Sequence, residues 1–139
     1  MEWFASNTMA KSLGNKQRIY VVDDEHVIAT TLAIILTQNG FDALAFGSAK
    51  EAITAAEALP PDLLLTDVVM PDMNGIELAI QFRQKYPDCK VLLFSGQAAT
   101  NNLLEAAKGA GYDLELLSKP VHPQDLLARL SWGSASGKE

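Results

Sequence analysis

Asp62-Leu63-Leu64-Leu65-Thr66-Asp67-Val68-Val69-Met70-Pro71-Asp72-Met73-Asn74-Gly75 is the stretch that decides the fold. Its first half is a run of large aliphatic residues, which reads as a strand covered on both faces. Its second half is turn chemistry. Asn74-Gly75-Ile76-Glu77 then offers a helix cap with an acid three residues on. Asp67 falls where the strand stops. A carboxylate at the carboxyl end of a buried strand sits at the rim of a sheet, where open α/β folds place their chemistry.

Three other segments end in the same manner. Ile19-Tyr20-Val21-Val22 runs into Asp23-Asp24-Glu25, Val91-Leu92-Leu93-Phe94 into Ser95-Gly96, and Leu114-Glu115-Leu116-Leu117-Ser118 into Lys119-Pro120. Between and around them lie helical patterns. His26 to Asn39 carries Ile28, Leu32 and Ile35 at helical spacing and stops at Gly40. Phe41 to Phe46 reads as a further strand. Ser48-Ala49-Lys50-Glu51 is a capping box that opens an alanine-rich helix to about Ala58. Further helices are expected from Asn74-Gly75 to about Tyr86, from Ala98 to Lys108, and from Pro123 to Leu130.

Strands that alternate with helices over short connections imply a parallel sheet with helices on both faces and right-handed crossovers. The expected organisation is a disordered extension over 1–17, one domain over 18–131, and a mobile tail over 132–139. That leaves no room for a DNA-binding or catalytic module beside it, so a stand-alone module is expected.

The bulk numbers agree. A chain of 139 residues with 48% hydrophobic content can bury a core without disulfides or metal staples. The net charge is −6, with no lysine or arginine cluster, which makes nucleic acid a poor direct partner. Cys89 is the lone cysteine, so an internal disulfide is excluded and a reducing compartment is expected. An inert, buried Cys89 is the expectation. No apolar stretch reaches the roughly 20 residues of a membrane span, and the first residues lack a signal-peptide pattern. A cytoplasmic location follows as the expectation.

In a parallel sheet the strand ends lie together, so Asp23, Asp24, Asp67, Ser95 and Lys119 converge. Neighbouring carboxylates repel one another, and one or more pKa values rise unless a cation enters. An all-oxygen ligand set favours a hard ion, Mg²⁺ or Mn²⁺, over zinc. An acid beside a lysine and a hydroxyl suits phosphoryl transfer, with the Asp67 carboxylate attacking phosphorus.

Taken together, Val22-Asp23-Asp24-Glu25, Thr66-Asp67-Val68-Val69-Met70-Pro71, Phe94-Ser95-Gly96 and Ser118-Lys119-Pro120 resemble the response-regulator receiver domains of the CheY-like type, across roughly residues 18 to 131. The resemblance implies the family's fold, a flavodoxin-like, doubly wound five-stranded parallel sheet in the order 2-1-3-4-5. It implies that Asp67 is the phosphoacceptor for a sensor histidine kinase or a histidine phosphotransfer domain. Asp24, Asp67 and the main-chain carbonyl of Val69 would hold Mg²⁺, with Asp23 acting mostly through water. Ser95 would be the switch hydroxyl and Lys119 the phosphate partner, often through a cis Lys119–Pro120 bond. Such a protein catalyses only its own phosphorylation and dephosphorylation. It signals to a downstream protein target and is able to pair through the face made by the fourth helix, fifth strand and fifth helix.

Two positions depart from the family pattern. Leu116 stands where an aromatic ring is usual, three residues before the lysine, so the expected response of the output face runs mainly through the Ser95 to Gly109 segment. Val69 is apolar where many receivers place a polar residue, which predicts a long-lived phosphoryl group. Two other readings compete. One is an interaction module that keeps the fold without being phosphorylated; the retained acids, serine and lysine argue against it. The other is a haloacid-dehalogenase-like phosphatase, which needs an acid two residues after its nucleophile, where this chain has Val69.

Overall fold

The computed structural model describes residues 16–96 and 100–138. Five strands and five helices alternate: β1 (Arg18–Val22), α1 (His26–Gln38), β2 (Asp42–Phe46), α2 (Ala49–Ala58), β3 (Leu63–Asp67), α3 (Gly75–Lys85), β4 (Lys90–Ser95), α4 (Thr100–Gly109), β5 (Glu115–Ser118) and α5 (Pro123–Lys138). The strands form one parallel sheet in the order β2-β1-β3-β4-β5. Because β1 is flanked by β2 on one side and β3 on the other, the connections reverse direction there. The crevice that this opens lies outside the carboxyl ends of β1 and β3.

Strand alternation sorts the core into two layers. Ile19, Val21, Leu63, Leu65, Leu92 and Phe94 face Ala29, Leu32 and Leu36 of α1 and Leu126 and Leu130 of α5. Tyr20, Val22, Leu64 and Leu93 face the other way, onto Ala49, Ala52 and Ala56 of α2 and Leu78, Ala79 and Phe82 of α3. All five residues of β3 are buried, as its aliphatic run predicts. The edge strand β2 is largely exposed. The alanines of α2 let that helix approach closely enough for Tyr20 to reach across and donate to the Leu59 carbonyl at 2.5 Å.

Both predicted caps are present. Ser48 Oγ accepts from the Glu51 amide at 3.1 Å, and Asn74 Oδ1 accepts from the Glu77 amide at 2.8 Å. Each satisfies an amide that the first helical turn leaves without a partner.

The ends of the chain differ from expectation. The Gln17 carbonyl already accepts from Asp42 N at 2.8 Å, so ordered pairing starts inside the expected extension; residues 1–15 lie outside the described residues. At the other end α5 continues to Lys138, past the expected stop at Leu130. Gly133 is the residue that suggests the stop. Glycine costs only about 1 kcal/mol relative to alanine in a helix, and no proline follows to enforce the break. The start of the fourth helix, expected at Ala98, lies outside the described residues, as does the side chain of Trp132. No described helix is long and apolar enough to cross a membrane.

Candidate phosphoacceptor site

Parallel register brings the separated motifs to one rim. Val22 pairs with Thr66, Asp67 with Phe94, and Ser95 with Ser118, so each strand ends within a residue of its neighbour. Asp23 follows β1, Asp67 ends β3, Ser95 ends β4 and Lys119 follows β5. Asp23, Asp67 and Ser95 are buried, and Asp24 is exposed. Asp23, Asp24 and Asp67 each offer a carboxylate oxygen, and these oxygens lie within 4.8 Å of one another.

Lys119 enters this cluster from the β5–α5 connection. Its Nζ lies 3.3 Å from Asp23 Oδ2, 3.4 Å from Asp67 Oδ2 and 3.5 Å from Glu25 Oε1. The same amine stands 5.3 Å from the centre of the Phe94 ring, which gives the cation a favourable face on its apolar side. The Lys119 amide donates to the Ser95 carbonyl at 3.1 Å, and the Lys119–Pro120 bond is cis.

One cation does not neutralise these acids. Burial, and then repulsion from Asp23, push the Asp67 carboxyl up to about 6; Lys119 and a backbone hydrogen bond from Val69 only partly offset them. Burial works against charge on Lys119 as well, but the attraction of Asp67 and Asp23 outweighs it and raises the lysine above its ordinary value. Asp23 Oδ1 accepts from the Glu25 amide at 2.9 Å. Asp23 Oδ2, by contrast, is buried, and among the described residues it has no well-aligned hydrogen bond, its contact being the Lys119 ammonium at 3.3 Å. A buried carboxylate oxygen whose partner is one ammonium shared with two other acids is poorly compensated. A hard cation, or a water bound to one, would meet that need, and the donor set is all oxygen. The residues present therefore fit a magnesium-type ion.

The two departures also have places. Val69 is half exposed beside the cluster, between the buried Val68 and Met70. Leu116 is partly buried and packs on the layer shared with α2 and α3, while its neighbour Leu117 faces the α1–α5 layer. Cys89 sits at the start of β4, at the opposite end of the sheet. Its thiol is buried and pushed up to about 12, first by burial and then by Asp62, so it stays protonated and inert.

A model of the response regulator receiver domain matches residues 19–131. The chain belongs to that family. The response regulator receiver protein CpdR of Brucella abortus is 35% identical over 111 residues, covering 80% of this chain and 91% of CpdR. The DNA-binding response regulator MtrA of Mycolicibacterium paratuberculosis is 36% identical over 115 residues, which cover 83% of this chain and 50% of MtrA. The chain thus spans about half the length of the MtrA relatives it matches. Among solved structures, a CheY-like receiver domain protein from Methanospirillum hungatei superposes with a TM-score of 0.78 at 29% identity, covering 89% of this chain and 98% of that one. TrrA of Thermotoga maritima, crystallised in complex with Mg²⁺-BeF, gives a TM-score of 0.71 at 26% identity over 83% of this chain and 96% of TrrA. The five-stranded order and the flanking helices are those of the CheY-like, flavodoxin-like fold.

Three features of the receiver site are not evident from the sequence patterns. Glu25 belongs to the first acidic motif, which assigns it no partner; in the structure it is a third carboxylate on Lys119. Gly75 reads in sequence as the first residue of a capped helix. In the structure a Cβ there would lie 2.0 Å from the Asp67 carbonyl oxygen, so only glycine lets α3 begin against the backbone of Asp67. Its amide donates to the Val68 carbonyl at 2.7 Å and closes the loop between them. Thr66 is buried, and its hydroxyl donates to the Asp67 carbonyl at 3.0 Å. A signal for Gly75 does exist in the chain: a glycine just inside a helix, behind an asparagine cap, has no conformational reason to be there.

Proposed function

We propose that this receiver domain accepts a phosphoryl group on Asp67 from a phosphohistidine of a sensor histidine kinase or a histidine phosphotransfer domain. The N–P bond of the donor breaks, a bond forms between phosphorus and an Asp67 carboxylate oxygen, and the imidazole nitrogen keeps the electron pair. The observation that carries this reading is the placement of the Lys119 amine, 3.4 Å from Asp67 and 3.3 Å from Asp23, beside a cluster of three aspartates.

Asp24, Asp67 and the Val69 carbonyl would hold Mg²⁺ or Mn²⁺, with Asp23 acting through water; the Mg²⁺-BeF complex of TrrA supports an ion at this rim. The ion would supply positive charge where negative charge builds up on the phosphoryl oxygens. Lys119 leaves its carboxylate partners to meet one phosphoryl oxygen, and Ser95 offers a hydroxyl to another. The raised pKa of Asp67 reflects the ground-state cost of gathering these acids, and turning the carboxylate into an acyl phosphate with a cation beside it relieves part of that crowding.

The protein is then a signalling phosphoacceptor rather than an enzyme acting on a separate substrate. It catalyses only its own phosphorylation and dephosphorylation, and signals through a protein target or by passing the group onward. Leu116 lies on β5 two residues before Ser118, the register partner of Ser95, and is the packing residue available for a switch. The α4–β5–α5 face is the candidate surface for pairing with a second copy. Cytoplasmic residence belongs to the same reading, in keeping with the lone buried Cys89, and the acidic charge argues against direct nucleic-acid contact.

The test is incubation with acetyl phosphate and Mg²⁺ followed by intact-mass measurement. A single phosphoryl group with the lability of an acyl phosphate, cleaved by alkali and by hydroxylamine, is expected, and none should form when the metal is chelated beforehand or in Asp67→Asn. Modification that survives in Asp67→Asn would place the chemistry elsewhere.

A further inference from the structure

The two acid-bearing loops are joined behind the site by a corner that holds none of the site residues. The turn from β2 into α2, Phe46-Gly47-Ser48-Ala49-Lys50, touches both. On one side Asp23 N donates to the Phe46 carbonyl at 3.1 Å. On the other, the Lys50 amide donates to Asp72 Oδ2 at 3.1 Å. Asp72 belongs to the loop that runs from Asp67 to α3, the loop that includes Val69.

The corner is stiff. Ser48 Oγ accepts from Glu51 N, and Glu51 Oε1 accepts from Gly47 N, both at 3.1 Å. Ala49 is fully buried. The Asp67 loop is less constrained. Its stem is closed by the Gly75–Val68 hydrogen bond at 2.7 Å, and Val68 and Met70 are buried. Val69 itself is half exposed, so its side chain has little packing to fix the backbone there. Met73 packs against the core, and Asp72 ties the outer part of this loop to the α2 corner. It is not a cap for its own helix, because Asn74 has that place on α3. It acts instead on α2, where Ser48 satisfies the Glu51 amide and Asp72 takes the Lys50 amide one residue earlier. A carboxylate at that position also faces the positive end of the helix.

We propose that Asp72 is a positioning residue for the divalent ion: through the Lys50 amide it fastens the Val69 loop to the same corner that fastens Asp23, so the two ligand-bearing loops hold one spacing. The inference rests on the magnesium site of the proposed function. Mg²⁺ demands near-ideal ligand geometry, so a loop that is free to drift loses affinity even when every ligand is present.

The experiment is a calorimetric Mg²⁺ titration of the wild-type protein, Asp72→Ala and Asp72→Asn, with solvent exchange of the Lys50 amide followed by NMR in the absence of metal. Asp72 is exposed, so both variants should fold, and circular dichroism checks this. Losing the one hydrogen bond in Asp72→Ala should weaken Mg²⁺ binding by about threefold to tenfold and speed exchange at Lys50. Asp72→Asn keeps an acceptor oxygen and should restore most of both. Equal weakening in the two variants would mean that only the charge of Asp72 matters, and would overturn the proposal. So would a wild-type affinity in Asp72→Ala accompanied only by a lower thermal midpoint. A wild-type protein that binds no Mg²⁺ would remove the functional reading and this inference with it, whereas normal wild-type binding with an unaffected Asp72→Ala removes the inference alone.

Discussion

The two ends of the sheet treat charge in opposite ways. At the amino ends of the strands, Asp62 Oδ2 accepts from the Arg18 amide at 2.7 Å, the Arg18 guanidinium donates to the Pro60 carbonyl at 3.1 Å and lies 3.8 Å from Asp42, and the Asp62 carbonyl accepts from Lys90 N at 3.0 Å. Acids and bases there are interleaved with the backbone and stitch neighbouring strands together. At the carboxyl ends one lysine faces Asp23, Asp67 and Glu25, with Asp24 close by. The first end is arranged for stability. The second carries a deficit of positive charge, which is what a site for a divalent ion and a phosphoryl group requires.

The comparison is broken most severely by closing the approach of α3 to Asp67. In Gly75→Ala the new methyl would meet the Asp67 carbonyl oxygen at 2.0 Å and the Asp67 carbonyl carbon at 2.9 Å. Both are backbone atoms and cannot swing away, so the start of α3 and the end of β3 must separate. Overpacking of this kind costs about 2–3 kcal/mol, readable in urea unfolding. Magnesium binding should fall with it, because the shift moves Asp67 itself. A variant with unchanged stability and unchanged affinity would mean that the contact is slack and Gly75 only a convenience of helix capping.

Much of this is legible in the chain. The aliphatic run before Asp67, the period-3.6 pattern after Asp23 and the Ser48 and Asn74 caps define the elements, their order and most of their boundaries up to α5. The site is legible for a related reason: a parallel sheet forces motifs at strand ends to one rim, whatever their distance in sequence. What stays hidden is contact across elements. The hold of Glu25 on Lys119, the tie of Asp72 to Lys50 and the proximity of Gly75 to Asp67 depend on how helices dock on the sheet, and no local spacing encodes that. The extent of α5 is hidden for a different reason. Gly133 resembles a stop signal, but a glycine alone weakens a helix without ending it.

The two ends also predict opposite responses to neutralising an acid. Asp67 is pushed from 3.8 up to about 6 in the folded protein. Between those values the folded chain holds a proton that the unfolded chain has released, so metal-free stability falls as pH rises through that window and stays low above it. The penalty at neutral pH is about 2–3 kcal/mol. Asp67→Asn carries no such charge and should be more stable than the wild type by about that amount at pH 7, with the advantage vanishing below about pH 4. Asp62→Asn at the opposite end should be less stable than wild type by about 1 kcal/mol, because it exchanges a charge-assisted hydrogen bond from the Arg18 amide for a neutral one. Denaturant unfolding of both variants at several pH values reads the two signs directly. A loss of stability in metal-free Asp67→Asn at pH 7 would show that the acids at this end are already compensated.

The smallest expected effect concerns what the charge-deficient end does with water. Hydrolysis of an acyl phosphate needs a water held in line with the phosphorus, and a group able to orient it contributes to the rate. Val69 is half exposed next to Asp67 and offers only methyl groups, which cannot hold a water by hydrogen bonds. Its side chain is half exposed and has little packing, so changing it should leave the fold intact and alter mainly the chemistry. Val69→Asn places an amide there and should shorten the phosphoryl lifetime by about threefold to tenfold, well below the gain from a full acid–base group. Loss of the phosphoryl group followed by mass measurement after removal of the donor gives the rate. An unchanged or longer lifetime would mean that water reaches the phosphorus from the Asp24 side, where the rim is open to solvent, and that the apolar residue does not govern how long the signal lasts.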